Sequence, residues 1–297
     1  MANKMKTINF EEQLRTLADN FERDGYGFIE DFLTDEEIKL LRDEGTRLII
    51  EESPKDQTRQ IFGNVYNAKS DYFVNSGDKI RYFFEKNAFN LVTNELIVPR
   101  EKSLAKIGHA LHCLNPIFKQ VTTSEKVKAV FKSIGFGDPT VAQSMLIFKN
   151  PLVGGEYTPH QDASFLCTEP IHLAGIWLAL DDATLENGCL QFIPGSHRWP
   201  LARRFVRSKP GSAGENLLEW TAPVVEYDDD KFLHVPVRRG SMVLIHGLVV
   251  HRSDSNNSPK ARWVYTFHAY DKSRCNYMKD NWLQALDNDT FMSIYDK

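Results

Sequence analysis

Cysteine is scarce, with four in 297 residues. Cys113, Cys167, Cys189 and Cys275 stand far apart with no C-x-x-C pair, which argues against a disulfide framework or a zinc knuckle and for reduced thiols. A dominant charge is missing too. With 36 Lys and Arg against 40 Asp and Glu the net charge is -4, so no basic field marks nucleic acid as the main partner. Long hydrophobic runs are absent: the longest, MVLIHGLVV at 242–250, is broken by a histidine and falls far short of the roughly 20 residues a membrane-spanning helix needs. No apolar leader shows in MANKMKTINFEEQ, and the closing YDK is not a peroxisomal S-K-L address. The expectation is a cytoplasmic protein whose partner is a small molecule rather than nucleic acid or a membrane.

Hydrophobic residues make up 42% of the chain, enough to bury a substantial core. Residues 8–23 carry apolar side chains at helical spacing and stop at Asp24-Gly25, after which YGFIEDF reads as a short strand. Thr34-Asp35-Glu36-Glu37 has the form of a capping box opening a helix to about residue 50. The polar stretch 53–78 reads as a long irregular connection of the kind that lies over a site, and 102–135 as a second helical region. From Thr140 the pattern changes to short strands, TVAQSMLIF, LAGIWLAL, CLQFI, MVLIHGLVV and WVYTFHAY, separated by Gly and Asn turns. That pattern indicates a mainly β fold with flanking helices, a jelly roll rather than a βαβ sheet. With no repeat and no linker in view, the simplest organisation is one domain over 1–297, with 1–139 as mainly helical support and cap and 140–297 as the jelly-roll core.

Within this frame, His160 and Asp162 follow a Gly-Gly break and lie two apart, so in extended chain they point to one side. An imidazole and a carboxylate suit a first-row divalent metal. A third ligand must come from another strand. His172, His197 and His234 sit in turns or beside proline, and His109 and His112, three apart, have no carboxylate at a matching spacing. His246 and His251 remain, five apart and on opposite faces of a regular strand. A hairpin centred between Asn256 and Asn257 would set His251 opposite Arg262, with Ser253 on the same face. Along the second strand Arg262, Val264, Thr266 and His268 then share one face, and Trp263, Tyr265 and Phe267 the other. An arginine fork beside a serine hydroxyl suits a carboxylate. Two histidines and one carboxylate leave coordination positions open, as in the non-haem Fe(II) oxygenases, and a dicarboxylate could chelate the metal at one end and meet Arg262 and Ser253 at the other. That cosubstrate is 2-oxoglutarate.

His160-Gln-Asp162, His251-Arg-Ser253 and Arg262, with FERDGYGFIEDFLTDEE and ENGCLQFIPGSH, together resemble the phytanoyl-CoA dioxygenase family of Fe(II)- and 2-oxoglutarate-dependent oxygenases. SGDKIRYFFEK, KIGHALH, VAQSMLIFK and HQDASF extend the similarity over nearly the whole chain. The resemblance implies a double-stranded β-helix, metal ligands at His160, Asp162 and His251, and 2-oxoglutarate contacts at Ser253 and Arg262. It further implies that Lys106, Met145 and Trp177 border the cosubstrate. On their own residue chemistry these three read as a helix lysine, a strand methionine and a buried tryptophan.

Two function classes follow. In the first, the chain consumes O2 and 2-oxoglutarate, releases succinate and CO2, and hydroxylates a C–H bond of a small organic or lipid-derived substrate. Asp162 favours hydroxylation, because related halogenating enzymes lack this carboxylate. In the second, a cupin-like barrel holds metal or 2-oxoglutarate as a non-enzymatic sensor. A zinc hydrolase would use the same triad but leave Arg262 and Ser253 without a role. Arg198, Arg203, Arg204 and Arg207 in HRWPLARRFVR form a cluster that could receive the phosphates of a CoA thioester, or simply face solvent.

Overall fold

The computed structural model describes residues 9–54, 60–63, 67–90, 92–93, 95–209, 216–285 and 291–295. Helix α1 (Phe10–Asp24) starts where the Asn9 side chain accepts from the Glu11 amide, and stops at Gly25, whose φ of 84° and amide bond to the Phe21 carbonyl make a left-handed cap. Helix α2 (Asp35–Arg47) begins with the expected capping box: the Glu37 amide donates to Thr34 Oγ1 and the Thr34 amide to Glu37 Oε2.

Among the described residues, nine strands form the larger sheet. Its order is β1 (Tyr26–Ile29), β13 (Met242–His246), β8 (Leu173–Ala179), β15 (Arg262–Asp271), β5 (Pro139–Lys149), β4 (Leu104–His109), β3 (Ile80–Phe84) and β2 (Gln60–Ile61), with β17 (Met292–Ser293) also on β5. A smaller sheet of four runs β12 (Leu233–Val235), β9 (Leu190–Phe192), β14 (His251–Ser253) and β6 (Tyr157–His160). Two further ribbons pair β10 (Phe205–Arg207) with β11 (Leu218–Trp220) and β7 (Thr168–Glu169) with β16 (Asn276–Tyr277). The two sheets and their crossing connections make a double-stranded β-helix.

Strand β15 shows how sequence alternation builds both cores. Trp263, Tyr265 and Phe267 turn outward into the cluster shared with Leu17, Leu41 and Phe131 of the helices. Val264 turns inward with Trp177 and Phe192 to join the sheets. Each such fully buried side chain contributes roughly 1.5–3 kcal/mol. On the inward face Arg262, Thr266 and His268 meet a cavity rather than the core.

Two readings of the sequence are corrected. The helical region drawn over 102–135 contains strand β4 in its first part, so Lys106 and His109 lie on a strand; helices occupy only Leu111–Leu114, Pro116–Thr122 and Glu125–Ser133. In LAKIGH every residue is buried, and a strand buried on both faces carries no period that separates it from a helix. Next, the hairpin about Asn256-Asn257 does not form. Strand β14 pairs with β6 and β9, whereas β15 pairs with β5 and β8, so the chain crosses from one sheet to the other, and His251 is not opposite Arg262. The Asn187-Gly188 turn lies on another such crossing, from β8 to β9. Within the 53–78 connection, residues 55–59 and 64–66 lie outside the described residues; Phe62 packs its ring 6.2 Å from that of Tyr157.

Candidate active site

His160 ends β6 and His251 opens β14, and the two are direct register partners with ring centroids 4.2 Å apart. Gln161 continues the extended backbone and Asp162 begins a 3-10 turn, so the i, i+2 spacing brings His160 and Asp162 to one side as their sequence implies. One nitrogen of each histidine and one oxygen of Asp162 lie within 4.8 Å of one another. The histidine Nε2 atoms are 3.6 Å and 3.7 Å from the same Asp162 Oδ1.

The backbone sets both imidazoles. His160 Nδ1 lies 2.8 Å from the Thr158 carbonyl and His251 Nδ1 3.1 Å from the Val249 carbonyl, each two residues back. A carbonyl can only accept, so Nδ1 carries the proton and Nε2 keeps its lone pair toward the cluster. Burial, followed by the neighbouring His251, lowers the His160 pKa to about 4, so it is neutral near pH 7. Burial alone would raise Asp162, but His268 and then His251 hold its carboxyl well below the ordinary range. The result is two imidazole Nε2 atoms turned toward one carboxylate, a donor set that fits a divalent first-row metal.

His268 was not singled out from the sequence as a site residue. Its Nε2 lies 3.3 Å from Asp162 Oδ2, the oxygen turned away from the two histidines. Asp162 therefore divides its oxygens, Oδ1 toward the candidate ligands and Oδ2 toward His268. The signal was present in the alternation of β15, which puts His268 on the face of Arg262 and Thr266.

At the other end of a cavity of about 80 Å3 stands Arg262, 2% exposed. Its NH1 donates to the Gly188 carbonyl at 3.0 Å, its Nε has no partner, and no carboxylate pairs with it among the described residues. Asp254, the residue after Ser253, accepts instead from Gln191 at 2.5 Å. Burial pulls the Arg262 pKa down to about 10, leaving a charged and uncompensated cation at neutral pH. Ser253 Oγ donates to the same Gly188 carbonyl at 2.8 Å. A buried cation with unfilled donors beside a hydroxyl is chemistry that fits a carboxylate.

Met145, Thr266 and Trp177 form one register row across β5, β15 and β8, and all three line this cavity. Lys106 sits one strand further out. Its Nζ is 3.5 Å from Met145 Sδ, lies 4.2 Å from the centre of the Phe62 ring, and is lowered to about 7 by burial. The rejected histidines are packing groups: His109 Nδ1 meets Ser76 Oγ at 2.8 Å, His112 Nδ1 meets Ser144 Oγ at 2.8 Å, and His246 accepts from the Leu248 amide at 3.0 Å.

Comparison with known proteins gives this geometry a family. Residues 21–264 match the sequence profile described as Phytanoyl-CoA dioxygenase (PhyH). The chain is 44% identical over 285 residues to the phytanoyl-CoA dioxygenase domain-containing protein 1 homolog of Caenorhabditis briggsae, covering 94% of this chain and 98% of that protein. It is 44% identical over 282 residues to phytanoyl-CoA dioxygenase domain-containing protein 1 of Danio rerio, covering 93% and 96%. In fold it is similar to the epimerase SnoN, solved in complex with Fe3+, alpha ketoglutarate and nogalamycin RO, with a TM-score of 0.60 at 17% identity over 89% of this chain and 85% of that one. On the profile match and the extent of these identities, the chain belongs to the phytanoyl-CoA dioxygenase family.

Proposed function

We propose that this protein is an Fe(II)- and 2-oxoglutarate-dependent dioxygenase that hydroxylates a C–H bond of a small organic or lipid-derived substrate. His160, Asp162 and His251 hold the iron; Ser253, Arg262, Met145 and Trp177 hold 2-oxoglutarate, and Lys106 backs Met145. The residues work as one domain, because strands from both halves of the chain build the larger sheet. The observation that carries the reading is Arg262: a buried cation without a counter-charge, in the same cavity as a His-Asp-His cluster. Neither a zinc hydrolase nor a plain metal sensor has a use for it.

Iron with 2-oxoglutarate and O2 supplies the oxidation: one oxygen atom enters succinate as CO2 leaves, and the other enters the substrate. The chain supplies placement. The Thr158 and Val249 carbonyls keep both histidine lone pairs aimed at one point, and His268 keeps Asp162 Oδ1 available by engaging Oδ2. Arg262 and Ser253 fix the distal carboxylate, so 2-oxoglutarate enters in a single orientation. The apolar wall around Trp177 excludes water from that end.

The test is release of succinate from 2-oxoglutarate in the presence of Fe(II) and O2. Formation that depends on Fe(II) and disappears in His251→Ala supports the proposal. Binding of 2-oxoglutarate without any succinate, under any substrate tried, overturns it in favour of the sensor class.

A further inference from the structure

His160 lines the candidate site on one side and a surface groove on the other, where Arg203, Trp220 and Tyr227 come together. Its side chain is 22% exposed. The groove therefore lies next to the cluster, with His160 as the shared wall. Trp220 and Tyr227 give it aromatic walls; Phe165 packs beside them, 6.0 Å from the His160 ring and 5.5 Å from the Trp220 ring, and Phe205 supports Trp220 at 4.9 Å.

Four arginines crowd this segment, and three are committed elsewhere. Arg198 donates to the Glu22 and Arg23 carbonyls. Arg204 pairs with Asp280 and Asn281. Arg207 donates to the Trp282 and Val74 carbonyls. Among the described residues Arg203 has neither hydrogen bond nor ion pair; its guanidinium carbon lies over the Trp220 ring, 3.8 Å from the ring centre. A cation held over a ring in this way keeps its N–H groups available for a carboxylate. The position is built rather than loose. Gln161, between the two candidate ligands, accepts from the Ala202 amide and donates to the Pro200 carbonyl, and the Arg204 amide is held by Thr221 Oγ1.

We infer that Arg203 binds a single carboxylate on the primary substrate, an acid with a flat or apolar body that lies along Trp220 and Phe165 and extends past His160 toward the cluster. One free cation matches one anionic group. It does not match the several phosphate charges of a CoA thioester, for which the cluster as a whole would have to be available. The inference rests on the proposed function for the placement of the reacting carbon.

The experiment uses the protein loaded with Zn(II) and 2-oxoglutarate without O2, and a panel of aryl- and alkyl-carboxylic acids, each beside its amide and its CoA thioester, with binding read by tryptophan fluorescence and ligand-observed NMR. Expected are acids that saturate, amides weaker by about tenfold or more, and a similar loss for those acids alone in Arg203→Ala, part of it restored in Arg203→Lys. The inference is overturned if no acid in the panel binds, if acids and amides bind alike, if Arg203→Ala spares the preference, or if the thioesters bind tightest. Titration of 2-oxoglutarate into the Zn(II) protein is read separately, and its failure would refute the cosubstrate whatever the panel shows.

Discussion

Arg262→Ala removes a buried cation that faces the cavity. In the native protein this side chain spends one N–H on the Gly188 carbonyl and leaves Nε with none, so a distal carboxylate can gain at least one charge-assisted hydrogen bond. Such a bond is worth roughly 1.5–3 kcal/mol, which corresponds to about 10- to 150-fold in affinity for 2-oxoglutarate. A bidentate contact adds to this. Arg262→Lys keeps charge without the fork and should recover only part of the loss. The discriminating measurement is a cycle: 2-oxoglutarate and 2-oxobutyrate, which lacks the distal carboxylate, are each titrated by calorimetry against native and Arg262→Ala protein carrying Zn(II) without O2. 2-Oxobutyrate should bind poorly to the native protein and lose little more in the variant. A coupling energy near zero would show that Arg262 does not hold that carboxylate and would remove the observation on which the function was proposed. Arg262→Met, which deletes an uncompensated buried charge, should leave the ligand-free protein as stable or more stable while reducing the stabilisation that 2-oxoglutarate confers.

His251→Ala should abolish Zn(II) binding while His246→Ala, whose ring lies against Phe21 and His197, largely spares it; equal losses in folded protein would mean the wrong histidine was chosen. His268→Ala should weaken Zn(II) binding by about 10- to 100-fold, since outer partners of metal ligands act at that scale, and an unchanged calorimetric affinity would deny it a part in orienting Asp162. Gly188→Ala should unfold or strongly destabilise the protein in urea, because φ is +81° and an added Cβ would lie 2.3 Å from the Asp254 carbonyl oxygen. Lys106, lowered by burial from 10.5 to about 7, binds fewer protons folded than unfolded between those values, so its contribution to stability is lost as pH falls through about 7 and returns toward 10.5. Urea unfolding should thus strengthen over that range by up to roughly 1.4 kcal/mol per pH unit, and Lys106→Met should flatten the slope; an unaltered slope would place the charge elsewhere.

What the chain discloses by itself is uneven. Capping chemistry is local, so the Thr34 box and the Gly25 stop could be read residue by residue. The His160/Asp162 pair and the inward face of β15 follow from period-two alternation, which needs no partner strand. Pairing is another matter. A run of turn residues looks the same whether it reverses a strand within one sheet or hands it to another, and both Asn256-Asn257 and Asn187-Gly188 do the latter. Arg262 was thus reached by a hairpin that does not exist; it meets the cavity because β15 faces β14 across the barrel interior, not along a ladder. Strand β4 escaped notice because burial on both faces erases its alternation. His268 and Gln161 act through contacts with chain far away in sequence, 3.3 Å to Asp162 and 2.9 Å to the Ala202 amide, and no spacing rule reports these.

His251 and Ser253 share β14, two positions apart and on one side of it, with regular pairing to Phe192 and Leu190 on β9. Under the proposed function one end of the cosubstrate is gauged from the first and the other end from the second. That spacing is main chain, about 6.7 Å for two strand residues. An inserted or deleted residue in β14 would change that spacing, and a one-residue slip turns every side chain of the strand to its other face. Such a step would forfeit the histidine along with the measure. Descendants of this fold are free to rework the groove beside Arg203, built on connections outside both sheets, while the small acid they consume stays the same.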